Sequence, residues 1–124
     1  MSWTFGLLLD EHAPWALYNS LLKAHPTLRI FRINDGIAPP NGTPDPILLK
    51  WCEANDCALV TDNRSSMPTH LAEHCRQGGH IQGIFTVKFR SISAKLLVDR
   101  LALVAGASLE GEYRDTIAFL PATA

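Results

Sequence analysis

Short, uniformly apolar runs alternate along this chain with longer stretches of helical periodicity. Residues 5–9 (FGLLL) and 57–60 (CALV) are apolar throughout, as strands buried on both faces of a sheet are. Residues 28–33 (LRIFRI) alternate and predict a more exposed strand, and GIFTV (83–87) and TIAFL (116–120) bring the number of strands to five. Between the first two strands, Pro14 suits the first turn of a helix that carries Trp15, Tyr18 and Leu22 on one face, with Leu21 flanking it, and stops at His25-Pro26. Thr43-Pro44-Asp45 predicts a second helix start, with Thr43 as N-cap and Asp45 at the positive helix end. Ile47, Leu48, Trp51, Cys52 and Asn55 mark its inner face. A third helix runs from Pro68 to Arg76 and is stopped by Gly78-Gly79. Ser91 or Ser93 caps a fourth, which carries Leu96, Leu97, Leu101 and Val104 and ends near Gly106. Strands alternating with helices predict one α/β domain over residues 1–124, three layers deep. Its mainly parallel sheet of about five strands is flanked by helices and joined by right-handed crossovers.

Composition narrows the class without naming a function. Of 124 residues, 47% are hydrophobic and 19% charged, enough for a single core and unlike a disordered chain. A net charge of −1 argues against a nucleic-acid coat protein, which needs many phosphate contacts, but leaves room for an enzyme that meets a nucleic acid through a metal and a few cations. The three cysteines form no C-x-x-C pair, and no charged leader or apolar run of roughly 20 residues is present. The expectation is a reducing cytoplasm, in a bacterium-like cell, with no membrane association.

Two of the apolar runs end in acid: Leu9-Asp10-Glu11 and Val60-Thr61-Asp62. In open α/β sheets ligands bind beyond the carboxyl ends of the strands, so two such tips side by side gather negative charge at one place. Clustered carboxylates repel and call for a cation or a shared proton. Asp10 is the central candidate ligand, with Glu11 beside it, Asp62 after the third strand and Asp45 at the start of the second helix. Arg64 and Lys88, just past the third and fourth strands, are candidates to bind a phosphate, with Arg90 nearby. His12 is placed for proton transfer. His70 and His74 share a helical face at a spacing seen in zinc sites, but no third ligand is spaced to join them.

The segments LLLDEHAP, TPDPILLKWCEANDCALVTDNRSSMP and GIFTVK resemble those of the small bacterial PIN-like domain proteins, over roughly residues 5–100. The resemblance implies a nuclease fold that holds Mg²⁺ or Mn²⁺ on clustered acids and hydrolyses RNA, often as the toxin of a toxin–antitoxin pair. On it, Asp10 matches the first metal acid, Glu11 its neighbour and Asp45 the second acid. Asp10, Asp45 and Asp62 become the catalytic set, joined as metal ligands by Glu11. RNA is then the substrate, bound with the help of Arg64 and Lys88, and an antitoxin protein or a second copy of the chain are the implied partners. The third motif departs from the pattern: the usual T-x-D acid falls at Asn63, with Asp62 one place early. A catalytically attenuated, protein-binding member of the family is therefore the alternative. A receiver-type phosphoacceptor domain would also set acids at these two strand ends, but it would draw Thr86 and Lys88 from two successive strands rather than one.

Overall fold

The computed structural model describes residues 3–120. Five strands and four helices alternate: β1 (Gly6–Leu9), α1 (Trp15–Ala24), β2 (Ile30–Arg32), α2 (Asp45–Ala54), β3 (Cys57–Thr61), α3 (Met67–Arg76), β4 (Ile84–Val87), α4 (Ala94–Ala107) and β5 (Ile117–Leu120), with a 3-10 turn at Phe89–Ser91. All pairings are parallel and the strand order is β2-β1-β3-β4-β5. The chain steps from β1 to one side, then recrosses to β3 on the other. The carboxyl ends of β1 and β3 therefore flank a topological switch point, where a crevice opens in doubly wound sheets.

The apolar runs fold as strands because both faces of the sheet are covered. Leu7 and Leu9 pack with Leu17 and Leu21 of α1 and Leu97 and Leu101 of α4, while Leu8 and Leu59 pack with Leu48 and Leu49 of α2 and Met67 of α3. Gly6 starts β1 where a side chain would strike the Arg29 carbonyl at 2.9 Å. Gly78, at φ +87°, ends α3 in a conformation glycine adopts freely. Among the described residues, no helix is long and apolar enough to cross a membrane.

One connection departs from the expected handedness. The steps from β2 to β3, β3 to β4 and β4 to β5 all move the same way across the sheet. The first two carry α2 and α3 over one face, but the third carries α4 over the other, beside α1. The β4-α4-β5 crossover thus has the opposite hand to the crossovers before it, against the rule that such units are right-handed. The gain is symmetrical cover: two helices lie on each face, and α4 buries Leu97, Val98, Leu101, Val104 and Ala105.

Local differences from the sequence expectation concern which helical face turns inward. In α1 the buried residues are Leu17 and Leu21, whereas Trp15 and Leu22 are exposed. In α2, Leu49 is buried and Ile47 is exposed. Thr43 does not cap α2: its hydroxyl donates to the Pro40 carbonyl, and Pro44 takes the cap position. Ser93 does cap α4, accepting from the Leu96 N–H at 3.1 Å, and Leu96 itself faces solvent.

Candidate metal centre

Asp10 extends β1 by one residue, since its N–H donates to the Val60 carbonyl at 3.0 Å. The residue is only 6% exposed. Three donors converge on it: the Thr61 hydroxyl (2.6 Å) and the Asp62 N–H (3.2 Å) reach Oδ2, and the His12 N–H (2.9 Å) reaches Oδ1. Burial raises the Asp10 pKa above its ordinary value; the Thr61 bond opposes the rise, the Asp62 charge adds to it, and the two backbone N–H groups oppose it. Burial and a neighbouring acid therefore outweigh three hydrogen bonds, and a carboxylate so placed gains from a nearby positive charge.

His12 and Asp62 complete the group. His12 Nδ1 lies 2.9 Å from Asp62 Oδ1, with both side chains open to solvent. The hydrogen bond to Asp62 and its charge raise the His12 pKa, which favours the imidazolium beside these acids. Asp10, His12 and Asp62 each offer a ligand atom, and these atoms lie within 4.8 Å of one another. Two carboxylates and an imidazole form a donor set suited to a divalent first-row cation, with the remaining positions open to water or substrate. Asp10 and Asp62, expected from the strand tips, are thus brought together. His12 joins them, although in sequence it showed only as a proton-transfer candidate.

The other two acids line the same crevice, of about 320 Å³, without entering the cluster. Glu11 is exposed and accepts from the Gly42 N–H at 3.3 Å. Asp45, in the first turn of α2, accepts from the Asn63 side-chain amide at 2.7 Å and lies 3.7 Å from His70 Nε2. Asn63 also donates to Ser66 Oγ, and its oxygen accepts from the Ser66 N–H. The amide at the expected third acid position thus gives Asp45 a neutral partner. His70 and His74 have separate roles: His70 faces Asp45, while buried His74 lies 2.6 Å from Glu53.

Beyond His12 and Asp62 the crevice continues into a cleft of about 450 Å³, also lined by Arg64, Lys88, Phe89 and Arg90. The Arg64 guanidinium sits 4.6 Å from the centre of the Phe119 ring. Among the described residues, none of these three cations has a carboxylate within ion-pair distance. An acidic cluster thus opens directly onto unpaired cations. Thr86 is buried in β4 and Lys88 follows the same strand, so the two do not come from the successive strands a receiver uses.

One residue in this region gave no sequence signal. Arg32, read as part of an exposed strand, is 6% exposed and bonds to the turn that carries His12. Fold and site together define a doubly wound α/β domain with a carboxylate–histidine cluster at its switch point. The chain matches no family model, no curated protein and no solved structure.

Proposed function

We propose that this protein is a PIN-like, metal-dependent ribonuclease whose cation, Mg²⁺ or Mn²⁺, is held by Asp10, His12 and Asp62. The observation that carries this reading is the meeting of that cluster with the Arg64–Lys88–Arg90 cleft, which suits a metal beside a phosphodiester. The imidazole favours Mn²⁺ over Mg²⁺, which prefers oxygen ligands. When bound, such a cation supplies a Lewis acid and an activated water. Asp10, held by Thr61 and two backbone N–H groups, is the fixed ligand; Asp62 and His12 are the exposed, adjustable ones. Arg64 and Lys88 bind the phosphate and offset the charge that develops on it. Glu11 and Asp45 border the crevice and orient water or substrate. An antitoxin or a second copy of the chain is the partner this reading implies.

The test is a Mn²⁺ titration with a fluorescent single-stranded RNA, run on the parent and on Asp10→Asn. The expected result is chelator-sensitive cleavage by the parent and none by the variant. Equal cleavage by both would remove Asp10 from the mechanism. A second reading, an attenuated PIN-like module that binds a partner protein, draws on Asn63: its amide satisfies Asp45 without a cation. Absence of both Mn²⁺ binding and cleavage in the parent would favour that module.

A further inference from the structure

Arg32 is a buried cation without an anion. Among the described residues no carboxylate lies within ion-pair distance of it. Its guanidinium is instead bonded to main-chain oxygens: Nε to Ala13 (3.2 Å), Nη2 to Ala13 (2.9 Å) and Glu11 (3.1 Å), and Nη1 to Ile33 (2.8 Å). The Trp15 ring covers it, with its centre 3.8 Å from the guanidinium carbon. A buried charge is costly unless fully hydrogen-bonded, and an apolar side chain of similar size often stabilises a fold as well or better. Stability alone therefore gives a weak account of an arginine here.

The peptide geometry gives a stronger one. The Glu11 carbonyl and the His12 N–H belong to a single planar unit and point in opposite directions. Arg32 binds the carbonyl side of that unit, and Asp10 Oδ1 accepts from the N–H side at 2.9 Å. One residue on, the Ala13 N–H donates to the Asp10 carbonyl while the Ala13 carbonyl accepts from Arg32. Rotating the Glu11–His12 peptide would break a bond to Arg32 and a bond to Asp10 together, and the two successive peptides that meet at Ala13 are pinned one to Asp10 and the other to Arg32. Arg32 lies across from Leu9 in the β1–β2 register, so this restraint is anchored in the sheet.

We propose that Arg32 is the positioning residue of the Asp10–His12–Asp62 cluster: by clamping the Glu11 and Ala13 carbonyls it aims the His12 N–H at Asp10 and fixes where the His12 ring meets Asp62. A planar fork reaches three carbonyls at once; a lysine ammonium, a compact point charge, does not.

The test uses the full chain with Arg32→Lys, and two readouts. The first is amide hydrogen exchange by NMR without metal. His12 and Ala13 amides are expected to exchange about tenfold faster in the variant, while Phe85 in β4 keeps its parent rate. The second is Mn²⁺ affinity, expected to weaken about tenfold as the ligands lose their geometry. The second readout rests on the metal reading above; the first does not. If the parent takes up no Mn²⁺, the metal reading fails and exchange alone decides the role of Arg32. Unchanged His12 and Ala13 exchange, uniformly faster exchange through the chain, or unchanged affinity in a protein that binds Mn²⁺ would each overturn the proposal. Should Arg32→Lys not fold, Trp15→Ala serves instead, since Trp15 is 46% exposed. Uncovering the guanidinium is expected to speed the same two amides about threefold, a change confined to this turn; no change there would overturn the proposal.

Discussion

At the scale of single residues, the centre depends on how Asp10 is held. Its bond from Thr61 is the shortest of the three it accepts and is buried. Thr61→Val keeps the shape of the side chain and removes that donor. The expected cost is about 1.5–3 kcal/mol, as for a hydrogen bond to a charged group, read as a lower thermal midpoint without metal. An unchanged midpoint would mean that water replaces the hydroxyl. Asn63 offers the converse test. Asn63→Asp would set a second carboxylate against Asp45, where an amide now donates at 2.7 Å. The variant is expected to melt lower than the parent in chelator and to gain more from Mn²⁺, because a cation relieves like-charge repulsion. An equal Mn²⁺ gain in both would show that Asp45 stands outside any metal site. Asp10 and Asp62 were legible in the sequence because each directly follows an apolar run that ends at the sheet edge. His12 was legible only as a proton-transfer candidate, and Arg32 not at all. His12 joins the cluster through a turn that brings its ring back to Asp62, and Arg32 is buried by Trp15 and backbone oxygens, which no side-chain pattern records.

At the scale of elements, the strands were legible to within a residue or two, because fully apolar runs fit few other environments. The helices were located correctly and Leu48, Cys52, Leu97, Leu101 and Val104 are buried as expected, but Trp15, Leu22, Ile47 and Leu96 face outward where a simple count of apolar positions placed them inward. In α1 and α2 the true stripe runs through Leu17 and Leu21 and through Leu48, Leu49 and Cys52, which leaves Trp15, Leu22 and Ile47 beside it. The reversed hand of the last crossover was not legible at all. Handedness depends on which face α4 covers, and α4 carries apolar residues at enough positions to suit either. Its choice is settled by the surface left open beside α1, which Leu101 fills without exposure. Leu101→Ala is therefore expected to cost about 2–5 kcal/mol, a large share of the roughly 5–15 kcal/mol typical of a whole domain. Urea unfolding measures it. A loss under about 1 kcal/mol would show that α4 is only loosely seated and that the unusual crossover is held by something else.

At the scale of the whole molecule, the switch point turns a local site into a link across the fold. Asp10 leaves β1, from which the chain runs outward to β2, and Asp62 leaves β3, from which it runs the other way to β5. A cation shared by these acids would tie the two directions of the sheet together and would be released on unfolding. If the proposed centre binds Mn²⁺, hundredfold excess over Kd adds about 2.7 kcal/mol to stability, or roughly 10 °C in the midpoint for a domain this size. The pH dependence separates this effect from the protein's own electrostatics. The His12 pKa lies above its ordinary 6.5 because of its hydrogen bond to Asp62. In chelator, whatever stability that pair contributes is present in full below pH 6.5 and fades as pH rises through the raised value. Metal binding needs the neutral imidazole, so the midpoint gain from Mn²⁺ must instead grow over the same interval. Opposite slopes with and without Mn²⁺ are thus expected in the parent, and Asp10→Asn should keep the first and lose the second. A Mn²⁺ gain that ignores pH would remove His12 from the ligand set, and one that persists in Asp10→Asn would place the metal elsewhere on the protein.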